Sequence, residues 1–216
     1  MPIVKKTPYH IQAYELIKDM ILSGEMVCGE KLNEIKLSQE LQISRSPIRE
    51  ALRILEQDGL IIAAPSGRIV NPLDMNTILE VYECRIGIES YAARLACRNF
   101  TELDYDKLVK SVEDCRKADE EQDKLAIIDL NNYFHNHIVS LSKNSYIISE
   151  VERISNIVNL SRLKELQEVT SSLSYAYDDH LEIANKLLEH EEDAVERLMR
   201  KHIANNITSL LKMQQK

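Results

Sequence analysis

Glycine and proline are confined to the first part of this chain, and their absence from the rest limits what that part can form. All five prolines lie at or before Pro72, and all five glycines lie at or before Gly87. Because these residues interrupt helices and mark turns, the remainder is expected to form long helices joined by short polar turns. We place a boundary near residues 68–74 and predict two domains, residues 1–73 and 74–216. The second domain should contain about six helices, near residues 75–100, 102–118, 121–142, 144–165, 171–190 and 192–214.

The first domain shows a different pattern of elements. Apolar residues recur at helical spacing in "IQAYELIKDMILSGE", "NEIKLSQELQI" and "SPIREALRILEQDG". In the third helix, Ser46 is expected as the N-cap, Pro47 at the first helical position and Gly59 at the C-terminal end. Two stretches rich in β-branched residues, "LIIA" and "RIV", flank "APSG" and predict a small hairpin. The predicted fold is therefore mainly α, an N-terminal winged helix-turn-helix followed by a C-terminal all-helical bundle.

Positive charge is concentrated on one face of the third helix, although the chain as a whole is acidic. The formal net charge is −8, yet residues 1–73 carry nine basic and nine acidic residues. Phosphate contacts dominate affinity for nucleic acid, so an acidic nucleic-acid binder must gather its positive charge locally. Helical spacing places three arginines and one serine together, namely Arg45, Ser46, Arg49 and Arg53. The apolar residues of this helix collect on the neighbouring side.

This arginine face has the character of a DNA-recognition helix. Arginine can bind guanine through two hydrogen bonds in the major groove, or it can hold a phosphate. Arg68, beside Gly67 in the hairpin turn, would contact phosphate or the minor groove from the wing. The alternative is a solvated helix face on which Arg49 or Arg53 pairs with Glu56. The Ser-Pro start of the helix, the helix before it and the hairpin after it together favour DNA recognition.

The stretch "KLNEIKLSQELQISRSPIREALRILEQDGLIIAAPSGRIV" resembles the winged-helix domain of GntR-type bacterial transcriptional regulators. The resemblance covers about residues 9–72, and the run S-R-[ST]-P-[IV]-R-E-A-L-x-x-L-x-x-x-G-L is specific for that family. It implies that a dimer binds operator DNA, with contacts from Arg45, Ser46, Arg49 and Gly67. One difference is Ile35, which stands where many relatives have a polar or basic residue that touches DNA.

Four polar residues of the second domain have a spacing that suits a metal site. Asn131 and His135 are four residues apart and therefore share one helix face. A turn near His190 would make two antiparallel helices that bring His180 and His202 level with each other. A single histidine on a helix is usually a hydrogen-bonded core residue or a surface residue. Three inward-facing histidines would instead suit a divalent ion such as Zn²⁺ or Ni²⁺.

Residues 74–216 resemble the all-helical ligand-binding domain of the FadR subfamily, the FCD domain. The resemblance rests on "YECRIGIESYAARLA", "NNYFHNHIVSLSKN" and "DDHLEIANKLLEHEEDAVERLMRKHI". In that domain a [DN]-x-x-x-H pair and two later histidines bind a metal ion, which corresponds here to Asn131, His135, His180 and His202. Asparagine stands where aspartate is commoner, and a neutral amide is the weaker ligand. Arg85 could pair with Glu89 on the same helix, but the resemblance favours a role for Arg85 as the cation that faces an effector carboxylate.

Together these features predict a DNA-binding transcriptional regulator, not an enzyme, whose operator affinity is modulated by a small organic acid at a metal-containing pocket. Two alternatives stay open: a regulator for which the metal ion is itself the signal, and a helical metallohydrolase. A hydrolase would need a general base, and the candidates near a ligand are Asp178 and Asp179. No apolar run approaches the ~20 residues that span a bilayer, and the N-terminus lacks the apolar stretch of a signal peptide. We expect a cytoplasmic homodimer with no membrane partner.

Overall fold

The computed structural model describes the backbone of residues 7–168 and 177–213 and the side chains of residues 7–164 and 177–207. The first part contains three helices and a hairpin: α1 (Tyr9–Leu22), α2 (Glu34–Glu40), α3 (Arg45–Gln57), β1 (Ile61–Ala64) and β2 (Gly67–Val70). Six helices follow: α4 (Met75–Ala96), α5 (Glu102–Glu120), α6 (Lys124–Leu141), α7 (Ser145–Glu168), α8 (Tyr177–Leu188) and α9 (Glu192–Met213). The predicted fold class, a winged helix-turn-helix followed by a helical bundle, is confirmed.

The chain forms two compact units. The first comprises the described residues up to Asp74 together with residues 159–167 of α7, and the second comprises residues 75–158 and the described residues from 168 onward. In the first unit α1 and α2 pack against α3. The core between them is fully buried and consists of aliphatic side chains, among them Ile17, Ile21, Ile48, Leu52 and Leu55.

The hairpin of the first unit is antiparallel and short. Ile61 pairs with Val70 and Ala64 pairs with Gly67, so the turn falls at Pro65 and Ser66. Gly67 has φ +114°, a backbone conformation that residues other than glycine rarely adopt. This freedom lets β2 begin at Gly67, directly after the turn. The predicted hairpin is confirmed, but each strand includes one residue of the stretch "APSG" that was expected to form the turn.

The start of α3 differs from the prediction by two residues. Ser44, not Ser46, is the N-cap, and α3 begins at Arg45. Pro47 consequently occupies the third helical position, which is still in the first turn, where a missing backbone N–H leaves no intrahelical bond unmade. The Ser-Pro pair therefore predicted the helix correctly but placed its first residue two positions too late.

In the second unit α4 packs against α6 and α9, while α5 packs against α6 and α8. Large apolar side chains fill the centre of this unit, including Leu108, Phe134, Ile138 and Ile183. Short turns join α4 to α5, α5 to α6, α6 to α7 and α8 to α9, and Lys143 and His190 each adopt a positive φ in such a turn. The turn at His190 joins α8 to α9, as predicted. No helix in the described part of the chain is long and apolar enough to cross a membrane.

Candidate DNA-binding surface and metal centre

The exposed face of α3 carries the polar residues that the sequence placed there. Arg45, Ser46, Arg49 and Arg53 are all exposed, while the apolar side of the same helix is fully buried. Ile35, on α2, is 47% exposed. The structure therefore presents the arginines on a free face of the first unit, held in place by the packing of the opposite face.

Arg49 and Arg68 share a single carboxylate in this structure. Glu34, the first residue of α2, accepts from Arg49 Nε at 2.8 Å through Oε2 and from Arg68 Nη1 at 3.2 Å through Oε1. Arg68 also donates from Nε to Glu56 at 3.1 Å. The hydrogen bond and charge of Glu34 raise the pKa of Arg49 above its usual value. The recognition helix and the wing are thus joined through one acidic side chain.

The pairs that the sequence suggested as an alternative are replaced by others. Arg53 donates to Glu50, one turn earlier on α3, with Nη2 2.6 Å from Oε1. Glu56 bonds to the wing residue Arg68 and Arg49 bonds to α2, as described above. An i,i+3 pair can be read from spacing, but a contact between α3 and the wing depends on tertiary packing. Glu34 is accordingly a residue that sequence reasoning missed.

An open groove of about 700 Å³ runs along this surface. Its lining residues come from the start of α1, from α3 and from the wing: Tyr9, His10, Ser44, Ser46, Pro47, Arg49, Glu50, Arg53 and Arg68. Three of the nine are arginines and two are serines, so the groove offers hydrogen-bond donors to an anionic surface.

The structure brings three predicted ligands together in the second unit. His135 lies on α6, His180 on α8 and His202 on α9, and each is only 3–4% exposed. One ring nitrogen from each histidine lies within 4.8 Å of the others, and the Nε2 atoms of His180 and His202 are 3.1 Å apart. The ring of Phe134 stacks on His180 at a centroid distance of 4.0 Å and shields the cluster from one side.

The donor set fits a divalent transition-metal ion. Metal–nitrogen bonds of about 2.0–2.1 Å place the ligand nitrogens roughly 3–4 Å apart, and the 3.1 Å between the Nε2 atoms of His180 and His202 lies in that range. Among the described residues, His135 Nε2 has no hydrogen-bond partner although it is fully buried. Burial lowers the pKa of His135 to about 4, which keeps the ring neutral near pH 7. A neutral imidazole is the form that binds a metal ion.

Asn131, the fourth predicted ligand, is buried on α6 one turn before His135. The i,i+4 spacing places both side chains on the same face of that helix. Its role as a ligand stays a prediction.

Arg85 forms the pair with Glu89 that the sequence offered as an alternative. Arg85 Nε donates to Glu89 Oε1 at 2.6 Å, and both residues are buried. Glu89 Oε2 in turn lies 2.8 Å from His135 Nδ1. Burial would raise the pKa of Glu89, but Arg85 and His135 outweigh burial and hold that pKa well below its usual range. The i,i+4 spacing predicted the contact between Arg85 and Glu89, whereas the contact between Glu89 and His135 depends on how α4 and α6 pack.

The acidic residues near the cluster face ring nitrogens. Asp179 Oδ2 lies 3.5 Å from His202 Nδ1, close enough for electrostatic attraction but without hydrogen-bond geometry. Asp178 points away and pairs with Arg116. Glu89 is thus placed to orient His135 through a hydrogen bond, an arrangement typical of metal sites, whereas Asp179 lies near His202 without such a bond.

Two family models cover most of the chain. Residues 10–70 match the model described as bacterial regulatory proteins, gntR family, and residues 80–205 match the FCD domain. A winged helix joined to such a helical domain defines a DNA-binding transcriptional regulator. The chain belongs to the GntR family and carries an FCD domain in its C-terminal unit.

Individual relatives support this assignment. The chain is 35% identical over 161 residues to the uncharacterized HTH-type transcriptional regulator YdhC of Bacillus subtilis (strain 168), covering 74% of this chain and 72% of YdhC. It is 30% identical over 198 residues to the Nta operon transcriptional regulator of Aminobacter aminovorans, covering 90% of each. The fold is similar to that of E. coli McbR/YncC, with a TM-score of 0.83, 21% identity, and coverage of 98% of this chain and 100% of that one.

Proposed function

We propose that this regulator binds duplex operator DNA as a homodimer, and that a small organic acid bound beside a divalent metal ion in the C-terminal unit modulates operator affinity. The observation that carries the proposal is the buried cluster of His135, His180 and His202, whose donor atoms lie within 4.8 Å of one another. Among the described residues, His135 Nε2 and His202 Nδ1 are buried without a hydrogen-bond partner, which costs free energy. A divalent ion satisfies all three rings together.

Zinc or nickel suits this donor set, since both are bound well by imidazole. Asn131 would supply a fourth, neutral oxygen ligand from the helix that carries His135. When bound, the ion would act as a Lewis acid that holds one end of a carboxylate. The three histidines come from three different helices, so the site depends on how these helices pack.

Arg85 is the proposed partner for the acid. Two of its nitrogens are engaged by Glu89, but Nη1 is buried and has no hydrogen-bond partner among the described residues. An arginine N–H in such surroundings favours an anion that can accept a charge-assisted hydrogen bond. Arg85 and the metal ligands would then select for small molecules that carry a carboxylate.

DNA would be read by α3 and the hairpin. Arg45, Ser46, Arg49 and Arg53 would face the major groove, and Gly67 and Arg68 would approach phosphate or the minor groove. An effector can alter operator affinity only if it binds the DNA-competent and the incompetent arrangements differently. A coupling of roughly 1–3 kcal/mol, or about 5–150-fold in affinity, is ordinary for such systems.

A face of α4 supports the proposed homodimer. Cys84, Gly87 and Tyr91 recur at helical spacing and are all exposed, and a small residue at the centre of a face allows close approach of a second helix. A Cβ added at Gly87 would meet no atom within 4 Å, so a larger residue there leaves the fold of one chain intact. Gly87→Arg is therefore expected to yield a folded monomer in light scattering, whereas a dimer unaffected by this change would place the interface elsewhere.

The regulatory proposal is tested by DNA binding under four conditions. Operator DNA is first selected from a random duplex pool with the wild-type protein. Affinity is then measured with chelator-treated and metal-loaded protein, each with and without a panel of small carboxylic acids. We expect acids to change affinity only when metal is present. A change with metal alone, at physiological concentration and without any acid, would instead identify a metal sensor.

The relatives are transcriptional regulators, which points away from the metallohydrolase alternative. Turnover of ester or amide substrates by metal-loaded protein would restore that alternative.

Arg49→Ala serves as a control for the DNA-binding assays, because it removes a proposed DNA contact without changing any residue of the C-terminal unit.

A further inference from the structure

The carboxylate of Glu89 lies between an arginine and a histidine inside the C-terminal unit. Its Oε1 accepts a hydrogen bond from Arg85 Nε at 2.6 Å, and its Oε2 lies 2.8 Å from His135 Nδ1. All three residues are only 3–4% exposed. Among the described residues, Arg85 Nη1 and His135 Nε2 have no hydrogen-bond partner. One carboxylate therefore joins two groups that each keep one polar atom unused.

The contact with Glu89 determines which nitrogen of His135 carries the hydrogen. A carboxylate can only accept a hydrogen bond, so Nδ1 must be the donor in this pair. In a neutral imidazole the other nitrogen, Nε2, then holds a lone pair. The His135 ring centroid lies 5.5 Å from that of His180 and 5.3 Å from that of His202. The nitrogen left with a lone pair is thus the one available to the cluster.

Arg85 acts on the same carboxylate from the other side. Its Nε and Nη2 lie 2.6 and 3.3 Å from the two oxygens of Glu89. The guanidinium supplies the counter-charge that a buried carboxylate requires, and two contacts hold the plane of the carboxylate. Because the two residues are four apart on α4, they form one unit that meets α6 where these helices pack.

We propose that Glu89 is the positioning residue of the histidine cluster. It fixes the hydrogen of His135 on Nδ1 and makes Nε2 the ligand atom, while Arg85 holds the carboxylate in place. The inference rests on the proposed function insofar as the cluster takes up a divalent ion. The tautomer it assigns to His135, however, is a property of the protein without metal. Removing such a partner from a ligand histidine typically weakens metal binding about 10–100-fold.

A matched series of full-length variants tests the role of Glu89. Arg85→Met/Glu89→Leu removes the acceptor without leaving an unpaired buried charge, and Arg85→Met/Glu89→Gln restores a neutral acceptor. Glu83→Gln is the control, because Glu83 is exposed on the same helix. Long-range ¹H–¹⁵N spectra of the metal-free proteins report the tautomer of His135. Calorimetric titration with Zn²⁺ alone and with Ni²⁺ alone reports affinity.

We expect wild type and the control to carry the His135 hydrogen on Nδ1. The leucine variant should lose this preference and bind metal about 10–100-fold more weakly, and the glutamine variant should recover much of that loss. A hydrogen on Nε2 in wild type would overturn the inference, as would undiminished metal affinity in the folded leucine variant. Should that variant not fold, the wild-type spectrum and the glutamine variant still decide. Failure of wild type to bind either ion would refute the proposed metal site, whereas the His135 spectrum would decide the role of Glu89 by itself.

Discussion

At the scale of single residues, Glu34 shows how two of the arginines that we propose as DNA contacts are held in the free protein. Its two oxygens bond to Arg49 on the recognition helix and to Arg68 on the wing. Both pairs are at least partly exposed, and such pairs add little to folding stability. Their effect should lie in DNA binding, because a phosphate that approaches either arginine must compete with this carboxylate.

Glu34→Gln is therefore expected to raise affinity for a random-sequence duplex several-fold. The salt dependence of binding should also become steeper by about one in log–log slope, since one more phosphate contact becomes available. Fluorescence anisotropy at several salt concentrations measures both quantities. Glu40→Gln is the matched control, because it makes the same charge change on the same helix but Glu40 pairs with Lys36. Equal effects of the two substitutions would show that net charge alone is responsible.

Asn131 offers a second prediction at this scale. If Asn131 is a ligand as proposed, Asn131→Asp replaces a neutral amide oxygen with a carboxylate one helical turn before His135 and should tighten Zn²⁺ binding by about tenfold, or ~1.4 kcal/mol. The competing effect is burial of a charge, which should destabilise the metal-free variant. Calorimetric titration and thermal unfolding separate the two. Asn136→Asp, exposed on the same helix, should change neither quantity.

The site residues divide into those that spacing reveals and those that it does not. The i,i+4 relation of Asn131 to His135 could be read from the sequence because it follows from helix periodicity alone. The pairing of His180 with His202 could be read because it needs only one turn between two antiparallel helices. The contacts of Glu34 with Arg49 and of Glu89 with His135 could not, because they join residues 15 and 46 positions apart through packing. Residues that orient other side chains across elements are therefore the ones that could not be predicted from the sequence.

At the scale of elements, the start of α5 is linked to α6 through one carboxylate. Thr101 and Asp104 form a capping box, in which each side chain bonds to the backbone of the other. Asp104 also lies 3.0 Å from His137 Nε2 on α6. Burial opposes ionisation of Asp104, but the bonds from Thr101 and His137 outweigh burial and lower its pKa below the usual value.

Asp104→Asn is expected to destabilise the protein by about 1 kcal/mol near neutral pH, through loss of the charged cap. Because the pKa of Asp104 is lowered by folding, its stabilising effect is fully present above about pH 4, the ordinary range for aspartate. That effect is lost as the pH falls through the lowered pKa. Urea unfolding from pH 7 down to acid should show the two proteins converging. A constant difference across this range would contradict the assigned role.

Helix identity was easier to predict than helix limits. The long helices between Met75 and Met213 follow from apolar periodicity, from the absence of proline after Pro72 and from the absence of glycine after Gly87. The start of α3 was misplaced because Ser44 and Ser46 are both good caps, and only the backbone conformation distinguishes them.

At the scale of the whole molecule, the two units have separate cores, and the proposed metal ligands lie in only one of them. A ligand that binds only the folded form stabilises it by about 2.7 kcal/mol when its concentration is a hundred times Kd. Metal should therefore raise the unfolding temperature of the C-terminal unit by several degrees and leave that of the winged helix unchanged.

Calorimetry of chelator-treated protein, with and without added Zn²⁺, tests this expectation. His202→Leu should abolish the metal-dependent shift, because it removes one of the three proposed ligands. In the metal-free protein it removes the unpartnered Nδ1 of His202 but also the partner of His180 Nε2, so the metal-dependent shift and not the metal-free stability is the readout. A shift of equal size in His202→Leu would place metal binding at another site.

The turn at His190 has a consequence for how the histidine cluster assembles. His180 and His202 lie on consecutive helices and meet when one α-hairpin closes, whereas His135 comes from an earlier helix and requires closure of a longer loop. Short-range closure is generally faster. The pair of His180 and His202 should therefore form before His135 joins it during folding, and a chain refolding with the proposed ion present would then take it up in two kinetic phases.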